Sequence, residues 1–171
     1  MKKLFTPDMY LDSVFDITPV MLKNKGIYGL ILDIDNTLVA TYIKKADERA
    51  ADFIKSLKEN GLKAVIVSNG KKKRVELFCK PLGIEYIYKA HKPLGGALKK
   101  AIEMMGLPYD KVAILGDQLF TDVLGGNLLG IHSILVKPMD PDEPLFIKIK
   151  RIFEKPFLKK IEYDVKKNRI K

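Results

Sequence analysis

The sequence contains one cysteine, Cys79, no tryptophan, and two histidines, His91 and His132. A lone cysteine excludes an internal disulfide and suits a reducing compartment. In the helical stretch LFCKPL it reads as a small buried hydrophobe, not a nucleophile. Two histidines this far apart make a poor metal set, so His91 reads as an ordinary loop residue. No apolar stretch approaches the ~20 residues of a membrane-spanning helix. The start, MKKLFTPDMY, has two lysines but lacks the apolar region of a signal peptide. No GxGxxG follows a strand, so Gly125-Gly126 reads as close packing, not a dinucleotide site. Repeats and low-complexity segments are missing too. These features lead us to expect a cytoplasmic globular protein whose 171 residues suit a single domain with a real core.

Positive charge, by contrast, is in excess. The formal net charge is +10, and Lys148 to Lys171 holds ten Lys or Arg against Glu154, Glu162 and Asp164, about +7. Such a field attracts nucleic acid, anionic lipid or phosphorylated substrates, or serves only as a solubilising face. Within this tail Leu145, Phe146, Ile149, Ile152 and Phe153 share one helical face. After an expected break at Pro156, Phe157, Leu158, Ile161 and Val165 repeat the pattern. Three uses are open to this basic amphipathic pair: packing on the domain, lying on an anionic membrane, or meeting a partner.

The most informative segment is GLILDIDNTLV, Gly29 to Val39, where the run Leu30-Ile31-Leu32 delivers Asp33 and Asp35. A short, branched, unbroken run suits a strand buried on both faces of a parallel sheet. Carboxylates at its end are costly as core residues. They are better placed to hold a metal or to act as acid and nucleophile, although a plain polar exit from the strand is the bland alternative. Two more segments have the same design. KAVIVSNG, Lys63 to Gly70, ends in Ser68-Asn69, and KVAILGDQLFTD, Lys111 to Asp122, ends in Gly116-Asp117 with Asp122 beyond. Lys92, before Pro93, marks a loop and a helix start. In open α/β sheets this carboxyl edge is where ligands bind.

The remaining punctuation gives a regular alternation. Thr18-Pro19 predicts a helix start and Gly26 its stop. Strands are expected near 29–34, 63–68, 84–88, 111–115 and 131–136, with helices near 46–60, 71–80, 94–106 and 119–129 between them. Helical crossovers imply an α/β three-layer sandwich, a parallel sheet of about five strands covered on both faces. The core would span about 27–137, with an N-terminal arm at 1–26 and the basic tail at 138–171.

Taken in order, DIDNTL, the strand ending in Ser68, Lys92 and GDQLFTD resemble the four motifs of the haloacid dehalogenase-like (HAD) phosphohydrolases. TPVMLKNKGIYGLILDIDNTLV, SNGKKKRV, AHKPLGGAL and GDQLFTDVLGGN are similar to the YqeG-type subclass IIIA phosphatases. Eukaryotic relatives of that group are mitochondrial phosphatidylglycerophosphate phosphatases. The resemblance covers roughly residues 5–140; Gly70 departs from it, standing where a second asparagine is expected.

The resemblance implies a Rossmannoid sheet in which the five core strands run 5-4-1-2-3, so that Asp33, Asp35 and Asp117 meet. It implies Asp33 as nucleophile, forming an aspartyl-phosphate, and Asp35 as general acid and then base. Ser68 and Lys92 would hold the transferring phosphoryl group, and Mg2+ would bind Asp33, the Asp35 backbone carbonyl and Asp117. Thr37, Asn69 and Asp122 would support this set, Thr37 by orienting the Asp35 loop and Asp122 through Lys92 or the metal's waters. The intervals between the motifs leave room only for a minimal cap, the loop Ala40 to Ala46. An open site suits a large or surface-bound substrate, or else a partner subunit covers it.

Asp35 also separates this chain from family dehalogenases, which lack it, and from family transport ATPases, which carry threonine there. The leading expectation is therefore phosphatidylglycerophosphate hydrolysis, with the protein cytoplasmic or peripheral to the inner face of the cell membrane. The alternatives are a phosphatase of a soluble sugar or nucleotide phosphate, and a basic module that binds nucleic acid or a protein. Nucleic acid is not expected as a partner, and the oligomeric state is left open. Lys71 to Arg74 reads either as an anion-attracting cluster or as a solvated turn.

Overall fold

Six strands, β1 (Met9–Leu11), β2 (Gly29–Leu32), β3 (Lys63–Val67), β4 (Glu85–Ile87), β5 (Val112–Gly116) and β6 (His132–Val136), form one sheet. Their order is β1-β6-β5-β2-β3-β4, and every pairing is parallel. The computed structural model describes residues 4–167 and 170; the first three residues of the arm and Asn168, Arg169 and Lys171 of the tail lie outside the described residues. The five core strands follow the expected order, but the sheet is one strand wider than the sequence suggested. β1 is only three residues long, too short for a period to show. It is held at the edge of β6 from outside itself. The Asp8 N–H donates to the Ser133 carbonyl at 2.8 Å, the Asp8 carboxylate accepts from the Ser133 N–H at 2.8 Å, and the Asn127 side chain donates to the Leu4 and Thr6 carbonyls.

Side chains of β2 alternate between the two faces, as a strand's must. Leu30 and Leu32 join Leu22, Phe53, Leu57 and Phe78 on one side, under α1 (Pro19–Asn24), α2 (Glu48–Glu59) and α3 (Lys72–Cys79). Ile31 joins Leu98, Ile102, Met105 and Ile114 on the other, under α4 (Gly95–Met105). The α1 start was legible: the Thr18 hydroxyl accepts from the Met21 N–H at 3.1 Å, and Pro19 occupies the first turn. The segment after β5 opens with a π-helical turn, Leu119–Val123, before α5 (Leu124–Leu129).

The tail departs most from expectation. It is one helix, α6 (Leu145–Lys166), which runs through Pro156 instead of breaking there. Ile147, Arg151, Glu154, Leu158, Ile161 and Val165 face inward, one residue every three or four. In the second half this face is apolar: Ile161 packs with Leu119, Val123 and Leu135, and Phe157 closes a ring cluster with Phe5 and Phe120 at centroid distances of 4.9 and 5.9 Å. In the first half Arg151 and Glu154 point in, while Leu145, Phe146, Ile149, Ile152 and Phe153 point out. Of the three uses left open for this apolar face, packing on the domain is therefore not met in the first half, because buried ionic partners, not hydrophobic burial, set the orientation there. Among the described residues no helix is long and apolar enough to cross a membrane.

Candidate active site

Backbone register builds the site. Leu32 lies beside Leu115 on one side and Ile66 on the other, so the chain leaves β2, β5 and β3 at one level and presents Asp33, Asp117 and Ser68 together. The Asp33 N–H still donates to the Leu115 carbonyl at 3.0 Å, extending the ladder by one bond. Beyond it the chain turns back through Asn36, left-handed at φ 59, with the Leu38 N–H on the Ile34 carbonyl at 2.9 Å. Asparagine tolerates that conformation better than most residues. The Thr37 hydroxyl then donates to Asp117 Oδ1 at 3.1 Å, so Thr37 ties the loop that carries Asp35 to Asp117.

Lys92 is placed with equal care. Lys89 and His91 are both left-handed, at φ 47 and φ 54, a strain of about 1–3 kcal/mol each. The Asn69 side chain accepts from the Lys92 N–H at 2.8 Å and donates to the Lys92 carbonyl at 3.3 Å, clamping its backbone. The buried ammonium lies 2.8 Å from Asp33 Oδ1 and 2.7 Å from Asp122 Oδ1. Asp122 accepts through its other oxygen from the Gln118 N–H at 3.2 Å and the Thr121 hydroxyl at 3.3 Å. Its carboxylate packs so closely on Gly116 that a Cβ there would collide with it, which explains glycine in this GDQ turn. Ser68 is buried, with its hydroxyl oxygen accepting from the Gly70 N–H at 3.0 Å.

Asp35 stands slightly apart. Arg74 donates to Asp35 Oδ1 at 2.8 Å and to the Lys44 carbonyl at 3.0 Å. Of the cluster Lys71 to Arg74, only the arginine turns toward the site, and Lys71, Lys72 and Lys73 are exposed. Asp33, Asp35, Ser68 and Lys92 border a cleft of about 240 Å³. Thr41 of the expected cap loop forms part of its wall, as do Phe146, Ile147 and Lys150 of α6. The cover is therefore larger than the loop Ala40 to Ala46. A wider depression of about 540 Å³ near Tyr10 and Lys137 borders none of these groups.

Electrostatics mark the cluster as short of positive charge. Oxygens of Asp33, Asp117 and Asp122 lie within 4.8 Å of one another, and all three residues are buried. Burial pushes the Asp33 carboxyl up to about 7, against the pull of Lys92 and with the help of Asp122. Burial likewise pushes Asp117 up to about 8, with Arg151 opposing and Asp33 and Asp122 adding to it. For Lys92 burial alone would favour the neutral amine, but Asp122 and Asp33 outweigh it and raise its affinity for the proton. One ammonium shared by two carboxylates stays charged while neither carboxylate is fully compensated.

Sequence reasoning missed Arg151, Glu143 and Glu154. All the guanidinium donors of Arg151 are engaged. Its Nε donates to Glu143 at 3.0 Å, Nη1 to the Asp117 carbonyl at 2.6 Å and Glu154 at 3.1 Å, and Nη2 to Glu143 at 2.7 Å and Asp117 Oδ2. Glu143 also accepts from Asn36 at 2.8 Å, and Glu154 from the Phe120 N–H at 3.1 Å. A signal was present: Arg151 and Glu154 fall on the stripe that continues through Leu158, Ile161 and Val165.

Five acidic groups here, Asp33, Asp117, Asp122, Glu143 and Glu154, thus face two cations, Lys92 and Arg151. Hard oxygen donors with unmet negative charge fit a divalent ion such as magnesium. Because Arg151 sits on Asp117 Oδ2, an ion bound at that oxygen would compete with it.

The pattern of the haloacid dehalogenase-like hydrolases matches residues 41–130. A Bacillus subtilis protein named "Probable phosphatase YqeG" is 43% identical over 158 residues, 92% of each chain. Phosphatidylglycerophosphate phosphatase 1 of Arabidopsis thaliana is 27% identical over 153 residues, covering 82% of this chain but 43% of that protein. Among solved structures, the cobalt-bound deoxy-D-mannose-octulosonate 8-phosphate phosphatase of Haemophilus influenzae superposes with a TM-score of 0.55 at 18% identity, over 75% of this chain and 77% of the other. At that identity the likeness is one of fold.

Proposed function

The chain belongs to the haloacid dehalogenase-like hydrolase family as a phosphatase, and from that premise we propose that it hydrolyses phosphatidylglycerophosphate at the inner face of an anionic membrane. The observation that carries the phosphatase chemistry is Asp33 at the border of the cleft, its carboxylate 2.8 Å from the buried Lys92 ammonium. The lipid substrate is supported by the name of the Arabidopsis relative and by a cleft whose wall includes the basic, apolar start of α6.

In this reading Asp33 attacks phosphorus in line. The bond to the leaving alkoxide breaks as the aspartyl-phosphate forms, splitting one hard step into two. Asp35 gives the alkoxide its proton and then takes one from the water that attacks the aspartyl-phosphate. Arg74 aims the Asp35 carboxylate. Lys92 neutralises charge on the moving phosphoryl group, Ser68 donates a hydrogen bond to it, and Asn69 and Asp122 hold Lys92 in position. Asp33, the Asp35 carbonyl and Asp117 would hold magnesium, which would supply Lewis-acid stabilisation of the phosphoryl oxygens.

The test is phosphate release from a panel containing phosphatidylglycerophosphate in mixed micelles and common soluble phosphomonoesters. The highest kcat/KM on the lipid is expected. A clear preference for a sugar or nucleotide phosphate would replace the lipid reading. Release from none of them, equal to that of Asp33→Asn, would turn the proposal toward a binding module.

A further inference from the structure

We propose that the outward face of the first half of α6 is a docking surface for an anionic bilayer. The proposal deepens the lipid-phosphatase reading, but it is argued from the surface alone. Leu145, Phe146, Ile149, Ile152 and Phe153 are 74, 62, 48, 59 and 65% exposed. Five large apolar side chains within nine residues make a contiguous patch, not the scatter that is normal on a protein surface.

The surrounding charge is mainly positive, although Lys148 also meets the exposed Asp142 at 3.7 Å. From Pro144 to Ile161 the only acidic residue is Glu154, and it is buried beneath Arg151. Lys148, Lys150, Lys155, Lys159 and Lys160 are all exposed around the patch. An apolar strip rimmed mainly by lysine matches lipid chains below a layer of phosphates. It does not suit a second copy of this chain, because a two-fold contact would set each lysine row against itself.

The face is also presented rigidly. Arg151 engages Glu143, Glu154 and Asp117, and beyond Pro156 the helix is anchored by Leu158, Ile161 and the ring of Phe157. The patch adjoins the cleft, since Phe146 and Lys150 form part of the cleft wall. A bilayer seated on α6 therefore brings its headgroups to the cleft mouth.

The test is co-sedimentation of the full chain with vesicles of phosphatidylglycerol and phosphatidylcholine, and with phosphatidylcholine alone. Wild type should pellet with the anionic vesicles and be released by salt. The variant Ile149→Ser/Ile152→Ser/Phe153→Ser, altered only at exposed positions outside the cleft, should lose at least ~10-fold in partition. Its turnover of p-nitrophenyl phosphate should not change. Lys148→Glu/Lys155→Glu, which leaves the apolar strip intact, should also bind more weakly. Unchanged sedimentation of the triple variant overturns the proposal. So does wild type that ignores anionic vesicles or binds neutral ones equally. A dimer in size-exclusion chromatography that the triple variant dissolves would assign the face to a second copy instead. Vesicle binding without hydrolysis of phosphatidylglycerophosphate leaves the surface standing and removes the substrate reading. Hydrolysis in micelles without vesicle binding does the reverse.

Discussion

The carboxyl edge of the sheet and the helix that crosses it both bury charge, yet each is positioned by a different force. At the edge, Asp33, Ser68 and Asp117 are placed by backbone ladders whose register does not depend on those side chains. In α6 the side chains do the placing, because Arg151 and Glu154 determine which face turns inward. Substitutions at the edge should therefore change chemistry while sparing the fold. Substitutions in α6 should change position first and chemistry second.

The sharpest way to break this contrast is Asp33→Asn. Loss of the proposed nucleophile should cost more than ~10³-fold in kcat, and Asp35→Asn about 10²–10⁴-fold as loss of the proposed acid–base catalysis. Neither Tm should fall, because Asp33 carries a carboxyl already raised by burial and Asp35 is partly exposed. Near-normal phosphate release by folded Asp33→Asn protein would end the covalent mechanism.

Arg151→Met tests the helix side. It leaves Glu143 and Glu154 buried without their shared cation. Breaking such a network costs about 3–5 kcal/mol when fully buried, and roughly 2–3 for an arginine that keeps some exposure. Thermal unfolding should show that loss. Calorimetry should show tighter magnesium binding, since the group competing at Asp117 is gone. A stable variant with unchanged metal affinity would mean that α6 is positioned by its second half alone.

The same contrast explains what the sequence disclosed. Strand ends were legible because Leu30 to Leu32, Val65 to Val67 and Val112 to Leu115 are apolar runs that stop abruptly at polar groups. β1 was not legible, since three residues show no period and its anchors, Asp8 and Asn127, lie outside it. In α6 the apolar stripe left open whether it packs on the domain, and in the first half of the helix it does not. A hydrophobic period does not register ionic contacts, and the inward face there is held by five guanidinium bonds. The pairing of Arg74 with Asp35 was hidden for another reason: four adjacent cations look alike until the phase of α3 selects one.

Gly116→Ala sharpens the comparison from within the edge. Its Cβ would collide with the Asp122 carboxylate, so Asp122 must move and Lys92 loses the partner 2.7 Å away. Overpacking of this kind costs about 1–3 kcal/mol. Turnover should fall through misplaced Lys92, with kcat affected more than KM, whereas Lys92→Arg should not restore the geometry. A Gly116→Ala enzyme with native kcat would show that Asp122 does not position Lys92.

The smallest expected effect is one of pH. Asp33 is raised to about 7 and Asp117 to about 8, so near neutral pH each is partly protonated and a bound cation would displace those protons. Magnesium affinity should therefore rise with pH up to about 8, by at most about tenfold per proton released per pH unit. For the metal-free protein the sign follows from the same shifts. A carboxyl raised above its unfolded value contributes stability that is complete below ~4 and is lost as pH climbs through the folded pKa. Metal-free protein should accordingly lose Tm between pH 5 and pH 8, and saturating magnesium should flatten that slope, because the ion replaces the protons as the balancing charge. Asp117→Asn should flatten it without metal. Calorimetry in buffers of different ionisation enthalpy counts the protons released on binding. A count of zero at pH 7 would show that the cluster is already ionised, with Lys92 and Arg151 supplying all the compensation it needs.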